Sequence, residues 1–351
     1  MRVLIGEISS YKAIVIARYI KQYYPTLHVV GYDNKCAVSF IHSKYVDNCV
    51  CIAYKSFREY IENIANYIQD NNIDIFIPVH SDYIGEILKC KDLFGKSLDY
   101  LGEYSDYIRL HEKNQLMQIA RELHIDTPRE YLTLLDAQVP FVIKPNNLSS
   151  AKGVEYFINE KDKNRIVALP TEMICQEYIK GIGCGYEVYC KNGEIVAEYG
   201  HIRLAEWPIT GGSSVLRDSY IHPNMRNIVE KILKQVQWTG FAMFEFKVTD
   251  ENRLVLIEVN PRIWGSINQA LQNGCNLFSD ILGAPLYVKD TNTNIRTCLS
   301  PHVWLAMFAY ALKGRVDILK DFVAHYKNTY SDISLWNDPK GVASIIIRKL
   351  L

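Results

Sequence analysis

The sequence predicts a protein of mixed α/β and α+β class, with an N-terminal doubly wound domain and a helical C-terminal tail. Over residues 1–104, short apolar strands alternate with amphipathic helices, which is the pattern of parallel β-α-β units. Further along, apolar runs joined by turn residues at 192–193 and 250–253 indicate antiparallel hairpins. A chain of 351 residues is also too long to fold around a single small hydrophobic core, so several domains are expected.

The N-terminal domain is predicted from three strands and two helices. The strands are expected at 2–5, 27–31 and 73–78, and the helices at 12–23 and 57–69. Gly6 follows the first strand, but the G-x-G-x-x-G fingerprint is missing, so a dinucleotide is not expected. Open sheets still bind ligands at the carboxyl ends of their strands. Glu7, Ser9, Ser10 and residues 80–82 lie at such ends, where turn and helix-cap roles are the commoner interpretation.

Three further regions follow, at 105–180, 181–290 and 291–351. The first has an amphipathic helix at 113–124 and strands at 139–144, 154–158 and 173–179, with a polar loop at 146–153. The second has strands at 186–190 and 194–199, a helix at 224–237 and a hairpin at 241–260. Helical periodicity at 302–312 and 316–326 makes the third a mostly helical tail.

The hairpin at 241–260 is the most informative segment. With its tip at residues 251–252, Glu245 lies directly opposite Glu258. Met243 then faces Asn260. The same register pairs Phe246 with Ile257 and Val248 with Val255, and it places the apolar side chains on one face.

Two carboxylates that face each other across a strand pair repel, so they need a compensating charge. A divalent cation is the simplest candidate, since Mg²⁺ takes one or two carboxylates together with substrate phosphates. On the same face, Asn260 offers a carbonyl oxygen and Arg262 a guanidinium fork for phosphate or carboxylate. The alternative is a solvated hairpin face on which Lys247 neutralises one carboxylate.

Composition and charge exclude several classes of protein. Lys+Arg and Asp+Glu each number 39, so no basic excess is available to attract nucleic acid. The 9 cysteines include no C-x-x-C pair, which argues against a disulfide framework or a zinc site and for a reducing compartment. The N-terminus lacks signal-peptide features and no apolar run could cross a bilayer, so a cytoplasmic protein is expected.

The order of elements and charged residues resembles the ATP-grasp superfamily, carboxylate–amine ligase type, over most of the chain. Lys113 in HEKNQ resembles the first ATP lysine, and Lys144 in FVIKPNN the second, at a strand end before the phosphate loop. Glu177 in ICQEYIKG resembles the hinge glutamate that meets adenine, and Glu187 in GYEVYC lies where a ribose-binding acid is often found. The resemblance further implies adenine pairing by the backbone of Tyr178 and Ile179, a magnesium set of Glu245, Glu258 and Asn260, and catalytic roles for Arg262 and Lys144.

The phosphate loop departs from the family pattern. Backbone amides approach phosphates most easily in glycine-rich loops, whereas residues 147–153 contain a single glycine, Gly153. Ser149 and Ser150 are therefore the candidate hydroxyl donors to the phosphates.

Candidate substrate residues follow the predicted hairpin at 186–199. His201 and Arg203 share a strand face by their spacing, and Gly212 and Ser213 belong to a polar loop just beyond. Arg203 is a candidate bidentate clamp for a substrate carboxylate. His201 could assist proton transfer, although a lone histidine on a strand is more often structural.

The resemblance implies that ATP and Mg²⁺, with Mn²⁺ as the alternative metal, convert a carboxylate to an acyl phosphate and that an amine then displaces the phosphate. Similar motifs occur in halves of the carbamoyl-phosphate synthetase large subunit and in D-alanine–D-alanine ligase. The expected partners are a small carboxylate and an amine, without nucleic acid or membrane, and a homodimer stays open. The rivals are an ATP-grasp kinase, a nucleotide-binding regulatory protein without turnover, and an α/β protein with no ATP site.

Overall fold

The N-terminal region folds around a parallel sheet, as predicted. The computed structural model describes residues 1–148, 153–164, 166, 168–209, 211–286 and 294–350. The strands of this first sheet are β1 (Arg2–Ile5), β2 (His28–Asp33), β3 (Asn48–Cys51) and β4 (Ile75–Ile77), in the order β3-β2-β1-β4. Its helices are α1 (Tyr11–Tyr23), α2 (Cys36–Ser39), α3 (Phe57–Asp70) and α4 (Ile84–Lys89), followed by a 3-10 helix at Lys91–Leu98. The strands that follow β1 are added on both of its sides, β2 and β3 on one side and β4 on the other, which confirms the doubly wound arrangement.

A smaller antiparallel sheet forms the second region, which we call the lid. It contains α5 (Tyr104–His111), α6 (Lys113–Glu122), β5 (Glu130–Tyr131), β6 (Phe141–Pro145), β7 (Glu155–Phe157), α7 (Glu160–Lys163) and β8 (Met173–Glu177). The strand order is β5-β8-β6-β7. Because side chains alternate along β6, Phe141 and Ile143 pack into the lid's own core, while Val142 and Lys144 face the opposite side.

The third sheet is the largest and runs through the rest of the chain. Its strands are β9 (Ile182–Lys191), β10 (Glu194–Trp207), β11 (Ser213–Ser219), β12 (Gly240–Val248), β13 (Leu254–Asn260), β14 (Arg296–Cys298) and β15 (Thr329–Ser331), in the order β13-β12-β9-β10-β11-β14-β15. The accompanying helices are α8 (Met225–Val236), α9 (Ile267–Gln272), α10 (Ser279–Leu282), α11 (His302–Leu312), α12 (Val316–His325) and α13 (Pro339–Leu350), with a 3-10 helix at Tyr326–Asn328.

Two features of this sheet correct the sequence-based boundaries. Ser213 and Ser214 begin β11 and are not part of a loop, and β10 continues past residue 199 to Trp207. The tail is mostly helical as predicted, but β14 and β15 extend the central sheet, and α13 returns to the N-terminal domain, where Arg348 contacts Glu7 at 2.6 Å. These contacts join distant segments, which local periodicity does not record.

The hairpin of β12 and β13 has the predicted residue pairing around its two glutamates and a different pairing near its tip. Glu245 pairs with Glu258 and Met243 with Asn260, which confirms that part of the register. A β-bulge then shifts the pairing, so Phe246 pairs with Leu256 and Val248 with Leu254. The predicted partners Ile257 and Val255 are wrong because the bulge inserts one extra residue into β13. As a result Leu256 is fully buried and Ile257 faces a cavity.

The cysteine prediction also needs correction. Cys36 and Cys51 form a disulfide between α2 and β3, with their Cα atoms 4.8 Å apart. The parallel pairing of β2 with β3 brings these residues together across 15 positions of sequence, without a short cysteine motif. Within the described ranges, no helix is long and apolar enough to cross a membrane.

Candidate active site

A cavity of about 490 Å³ lies between the lid sheet and the hairpin of the central sheet. From the lid it is lined by Lys113, Val142, Lys144, Gln176, Glu177, Tyr178 and Ile179, and from the central sheet by Arg203, Glu206, Glu245, Lys247, Ile257 and Glu258. We call this space the first cavity. Apolar side chains and cationic groups share its walls, as a nucleotide with a flat base and charged phosphates requires.

A second cavity of about 330 Å³ lies between the central sheet and the N-terminal domain. Ser10, Lys12 and Ser81 reach it from the N-terminal domain, and His201, Gly212, Ser213, Arg262 and Ser266 are among its lining residues from the central sheet side. Arg203, Glu245 and Glu258 line both cavities. The pair of glutamates therefore marks the place where the two spaces meet.

Cationic and amide groups hold the two glutamates in place. Arg203 Nη2 contacts Glu245 Oε2 at 2.6 Å, and Lys113 Nζ lies 3.5 Å from Glu258 Oε2. The Nδ2 group of Asn260 donates to both carboxylates at 3.1 Å. The repulsion expected from the sequence is thus partly compensated by the protein itself.

The pKa values of the two carboxyls shift in opposite directions. Burial and repulsion from Glu258 raise the pKa of Glu245 despite the attraction of Arg203. Burial also raises the pKa of Glu258, but Lys113, Lys144 and Asn260 outweigh this effect, and the pKa of that carboxyl is lowered. Glu258 is therefore the more readily ionised member of the pair and the better anchor for a cation.

The two carboxylates of Glu245 and Glu258 suit Mg²⁺, which takes one or two carboxylate ligands. No group of three or more His, Cys, Asp or Glu side chains suited to a metal occurs in the described part of the chain, so an all-protein cage is not formed there. Two carboxylates and a carboxamide match an ion that completes its shell with phosphate oxygens and water. The orientation of Asn260 corrects the prediction, because its Oδ1 accepts from Arg262 Nη2 at 2.8 Å and its nitrogen faces the glutamates. A half-turn of the amide is needed to present oxygen.

Both predicted ATP lysines lie at the first cavity. Lys113 is 3% exposed, and its Nζ donates to the carbonyl of Leu148 at 2.6 Å. Lys144, at the end of β6, is 6% exposed, and burial lowers its pKa to about 8. Neither is a solvated surface charge, and both are held next to the glutamate pair. Ser149 and Ser150 lie outside the described residues.

The predicted hinge, Glu177 to Ile179, lines the first cavity. The carboxylate of Glu177 accepts from the backbone N–H of Arg129 at 3.2 Å. The N–H of Tyr178 donates to the carbonyl of Pro140 at 3.0 Å. That donor is therefore already used inside the protein, so a contact of Tyr178 with adenine would have to use its carbonyl group, and the predicted pairing stays a prediction. Ile179 lies at the cavity wall as predicted.

Glu187 does not lie where a ribose-binding residue must be. It is fully buried, 3.0 Å from His201 Nδ1, and its Oε1 accepts from Ser266 Oγ at 2.8 Å. β9 is flanked by β10 and β12, and the segment around Ser266 covers this side chain, so it does not line the first cavity. The ribose prediction is therefore wrong, and His201 has a structural partner.

Glu206 is a carboxylate of the first cavity that the sequence interpretation missed. It lies 3.3 Å from Arg203 and near Gly183. Strand alternation from His201 and Arg203 predicts that residue 205 faces the same side. Irregularities between Arg203 and Glu206 instead bury Ala205 and turn Glu206 to the cavity.

The substrate residues predicted from the sequence are placed at the second cavity, but Arg203 has another role than expected. Its guanidinium contacts both Glu206 and Glu245, so its fork is not free to clamp a carboxylate. It holds a glutamate of the pair in place. Gly212 approaches the carbonyl of Trp207 so closely that a Cβ atom would lie 2.2 Å away, which only glycine avoids.

Comparisons with known proteins are consistent with this geometry. Residues 110–266 match the model of a family described as an ATP-grasp domain. A D-alanine–D-alanine ligase from Fusobacterium nucleatum is 25% identical over 213 residues, which cover 56% of this chain and 73% of that protein.

Two solved structures share the fold. The biotin carboxylase domain of the 2-oxoglutarate carboxylase from Hydrogenobacter thermophilus, solved with MgADP and bicarbonate, has a TM-score of 0.67 at 14% identity, covering 85% of this chain and 74% of that one. The L-amino acid ligase from Bacillus licheniformis has a TM-score of 0.59 at 15% identity, covering 83% and 75%. The predicted fold class is confirmed.

Proposed function

We propose that this protein, whose residues 110–266 match the ATP-grasp domain model, is an ATP- and Mg²⁺-dependent ligase that joins a carboxylate to an amine through an acyl phosphate. The observation that carries the proposal is the position of Glu245 and Glu258 at the junction of two cavities. A phosphoryl group that passes from a nucleotide in the first cavity to a carboxylate in the second must cross this junction.

The side chains at the junction suit phosphoryl transfer, which depends mainly on positioning and electrostatics. Lys113 and Lys144 bind the nucleotide phosphates from the lid side. Glu245 and Glu258, with Asn260 after its amide has turned, would hold Mg²⁺, which would neutralise phosphate charge. Arg262, at the wall of the second cavity, stabilises the phosphoryl group as it reaches the carboxylate.

The second cavity also suits the amine step. An acyl phosphate is consumed by water unless the site is closed. Residues of the N-terminal domain and of the central sheet line this space together, so the amine can meet the acyl carbon between the two when the site is closed. The names of similar proteins support ligase chemistry, although their acids differ and include amino acids and bicarbonate.

A screen of coupled reactions tests the proposal. The protein is incubated with Mg-ATP, a panel of acids, and either an amine or hydroxylamine, and both ADP and the coupled product are measured. A ligase gives acid-dependent ADP release, a hydroxamate with hydroxylamine and an amide with the amine. A stable phosphoproduct without any amine indicates a kinase instead, and ATP binding with no ADP indicates a regulatory protein.

We expect the lid to close over the nucleotide. The backbone N–H of Lys113 donates to the carbonyl of Asn146, and its Nζ to the carbonyl of Leu148, so the loop is tied to a phosphate-binding lysine. Mg-ATP should therefore slow amide hydrogen exchange in residues 146–153, whereas α3 in the N-terminal domain should exchange unchanged. Unchanged exchange in this loop, with bound ATP demonstrated by calorimetry, would rule out lid closure.

A further inference from the structure

Two cationic side chains, Lys12 and Arg262, line the second cavity, and the proposed phosphoryl transfer uses only Arg262. Lys12, in the first turn of α1, donates from its Nζ to Ser81 Oγ at 3.0 Å. None of the carboxylates in the described part of the chain pairs with this ammonium. Arg262 lines the same cavity. Burial first, and then repulsion from Arg262, lower the pKa of Lys12 to about 7.

Lys12 and Arg262 carry positive charge, whereas the glutamate pair carries negative charge. Two cations near one partly enclosed space repel each other, and an anion between them relieves that repulsion. The N-terminus of α1, a helix of 13 residues capped by Ser10, opens on the same cavity and adds partial positive charge. Arg262 and Lys12 come from different domains, so an anion there also contacts both domains.

The cavity offers no carboxylate for a positively charged group of a substrate. Among the described residues that line it, the only carboxylates are Glu245 and Glu258. We have assigned both to magnesium, and Arg203 and Lys113 already contact them. Glu7 and Asp82 act on Lys12 electrostatically, and Asp82 acts on Arg262 as well, but Arg348 holds the carboxylate of Glu7 at 2.6 Å and Asp82 does not line the cavity. An ammonium group placed beside a bound carboxylate would therefore face cations.

Resting on the proposed function, we propose that the acid substrate is a carboxylate without an α-ammonium group, and that Lys12 and Arg262 bind its negative charge between the two domains. Simple carboxylic, dicarboxylic and carbonic acids fit this description, whereas free amino acids as carboxyl donors do not. Lys12 is then a specificity-determining residue supplied by the N-terminal domain.

Matched pairs of acids that differ only in the α-ammonium group test the inference. The pairs are propionate and alanine, succinate and aspartate, and glutarate and glutamate, with bicarbonate as a further probe and both enantiomers of each amino acid. Binding to the full-length protein in the presence of MgADP is measured by calorimetry, and turnover by ADP release with hydroxylamine. We expect the acid without the ammonium to bind about tenfold or more tightly than its amino acid partner.

Variants of two lysines on α1 separate the role of Lys12 from a general effect of charge. Lys12→Met should abolish the preference, and Lys12→Glu should reverse it in favour of the amino acids. Lys21→Met is the matched control, because Lys21 lies on the same helix and pairs with Asp47 away from the cavity. Ser81→Ala, which removes only the hydrogen-bond partner of Lys12, provides a second test if the Lys12 variants fold poorly.

The outcomes distinguish this inference from the proposed ligase function. A preference for the ammonium-free acids that Lys12→Met removes supports the inference. Equal or tighter binding of the amino acids overturns it, and hydroxamate formation with those amino acids would leave the ligase function standing. Ammonium-free acids that bind through Lys12 without ADP release or hydroxamate would instead overturn the ligase function. If no probe binds, the anion site is wrong.

Discussion

Glu258→Gln should reduce Mg²⁺-dependent ATP turnover by roughly hundredfold or more, which corresponds to about 3 kcal/mol of lost transition-state stabilisation. Glu258 is the more readily ionised member of the glutamate pair, and its pKa is lowered by Lys113 and Lys144 despite burial. The substitution keeps the side-chain shape and removes one of the two negative charges that a cation requires. It relieves the repulsion with Glu245 and costs the contact with Lys113, so the chain should still fold, with a stability set by the difference between the two effects.

The measurement is steady-state ADP release as a function of Mg²⁺ concentration, together with thermal unfolding. Glu251→Gln is the control, since Glu251 is exposed in the turn of the same hairpin and should leave turnover unchanged. Near wild-type turnover of Glu258→Gln at low Mg²⁺ would show that this carboxylate holds no metal.

Glu245→Gln should also impair turnover and, as Glu258→Gln does for Lys113, it leaves a buried cation short of a partner. Arg203 contacts Glu245 at 2.6 Å and is itself largely buried, so the substitution leaves a cation with one fewer charged partner. Removing one member of a buried ion pair lowers the free energy of unfolding by more than the intact pair contributes to it, because the remaining charge stays away from water without a partner.

Lys144→Ala should weaken binding of a non-hydrolysable ATP analogue by roughly tenfold to a hundredfold and should reduce turnover with it. One charge-assisted contact is worth about 1.5–3 kcal/mol, and the scaffold fixes this lysine at the end of β6, 6% exposed. Calorimetry measures the loss. Lys180→Ala is the matched control, because the side chain of Lys180 is 85% exposed just after the proposed hinge. Equal affinities of the two variants would remove Lys144 from the nucleotide site.

The pH dependence of nucleotide binding gives an independent test of Lys144. Burial lowers the pKa of this lysine to about 8 in the nucleotide-free protein. Phosphate binds the protonated form, so affinity should be highest below that pKa and should fall as pH rises through it. Lys144→Arg should not show this fall, because a guanidinium stays protonated throughout the range. A wild-type affinity that is constant from pH 7 to 9 would contradict the assignment.

The sequence by itself determined the fold class, most elements of the lid and central sheet, and the opposed glutamates of the hairpin. These signals are local: strand alternation, turn residues and the two opposed carboxylates all lie within one short segment. Lys113 and Lys144 were assigned through the resemblance to the ATP-grasp superfamily, and each stands at the boundary of a predicted element. The pairing of Glu245 with Glu258 followed from the period of two along a strand.

Only the tertiary structure decided which side chains share a cavity. Bulges near Ile257 and Glu206 turned both residues towards the first cavity, because one inserted residue reverses the side of the sheet that each later residue faces. Burial removed Glu187 from the site, because neighbouring strands and Ser266 cover it. Lys12 joined the second cavity because two domains separated by many residues pack together there. Contacts of this kind depend on packing between distant segments, and no local pattern of sequence records them.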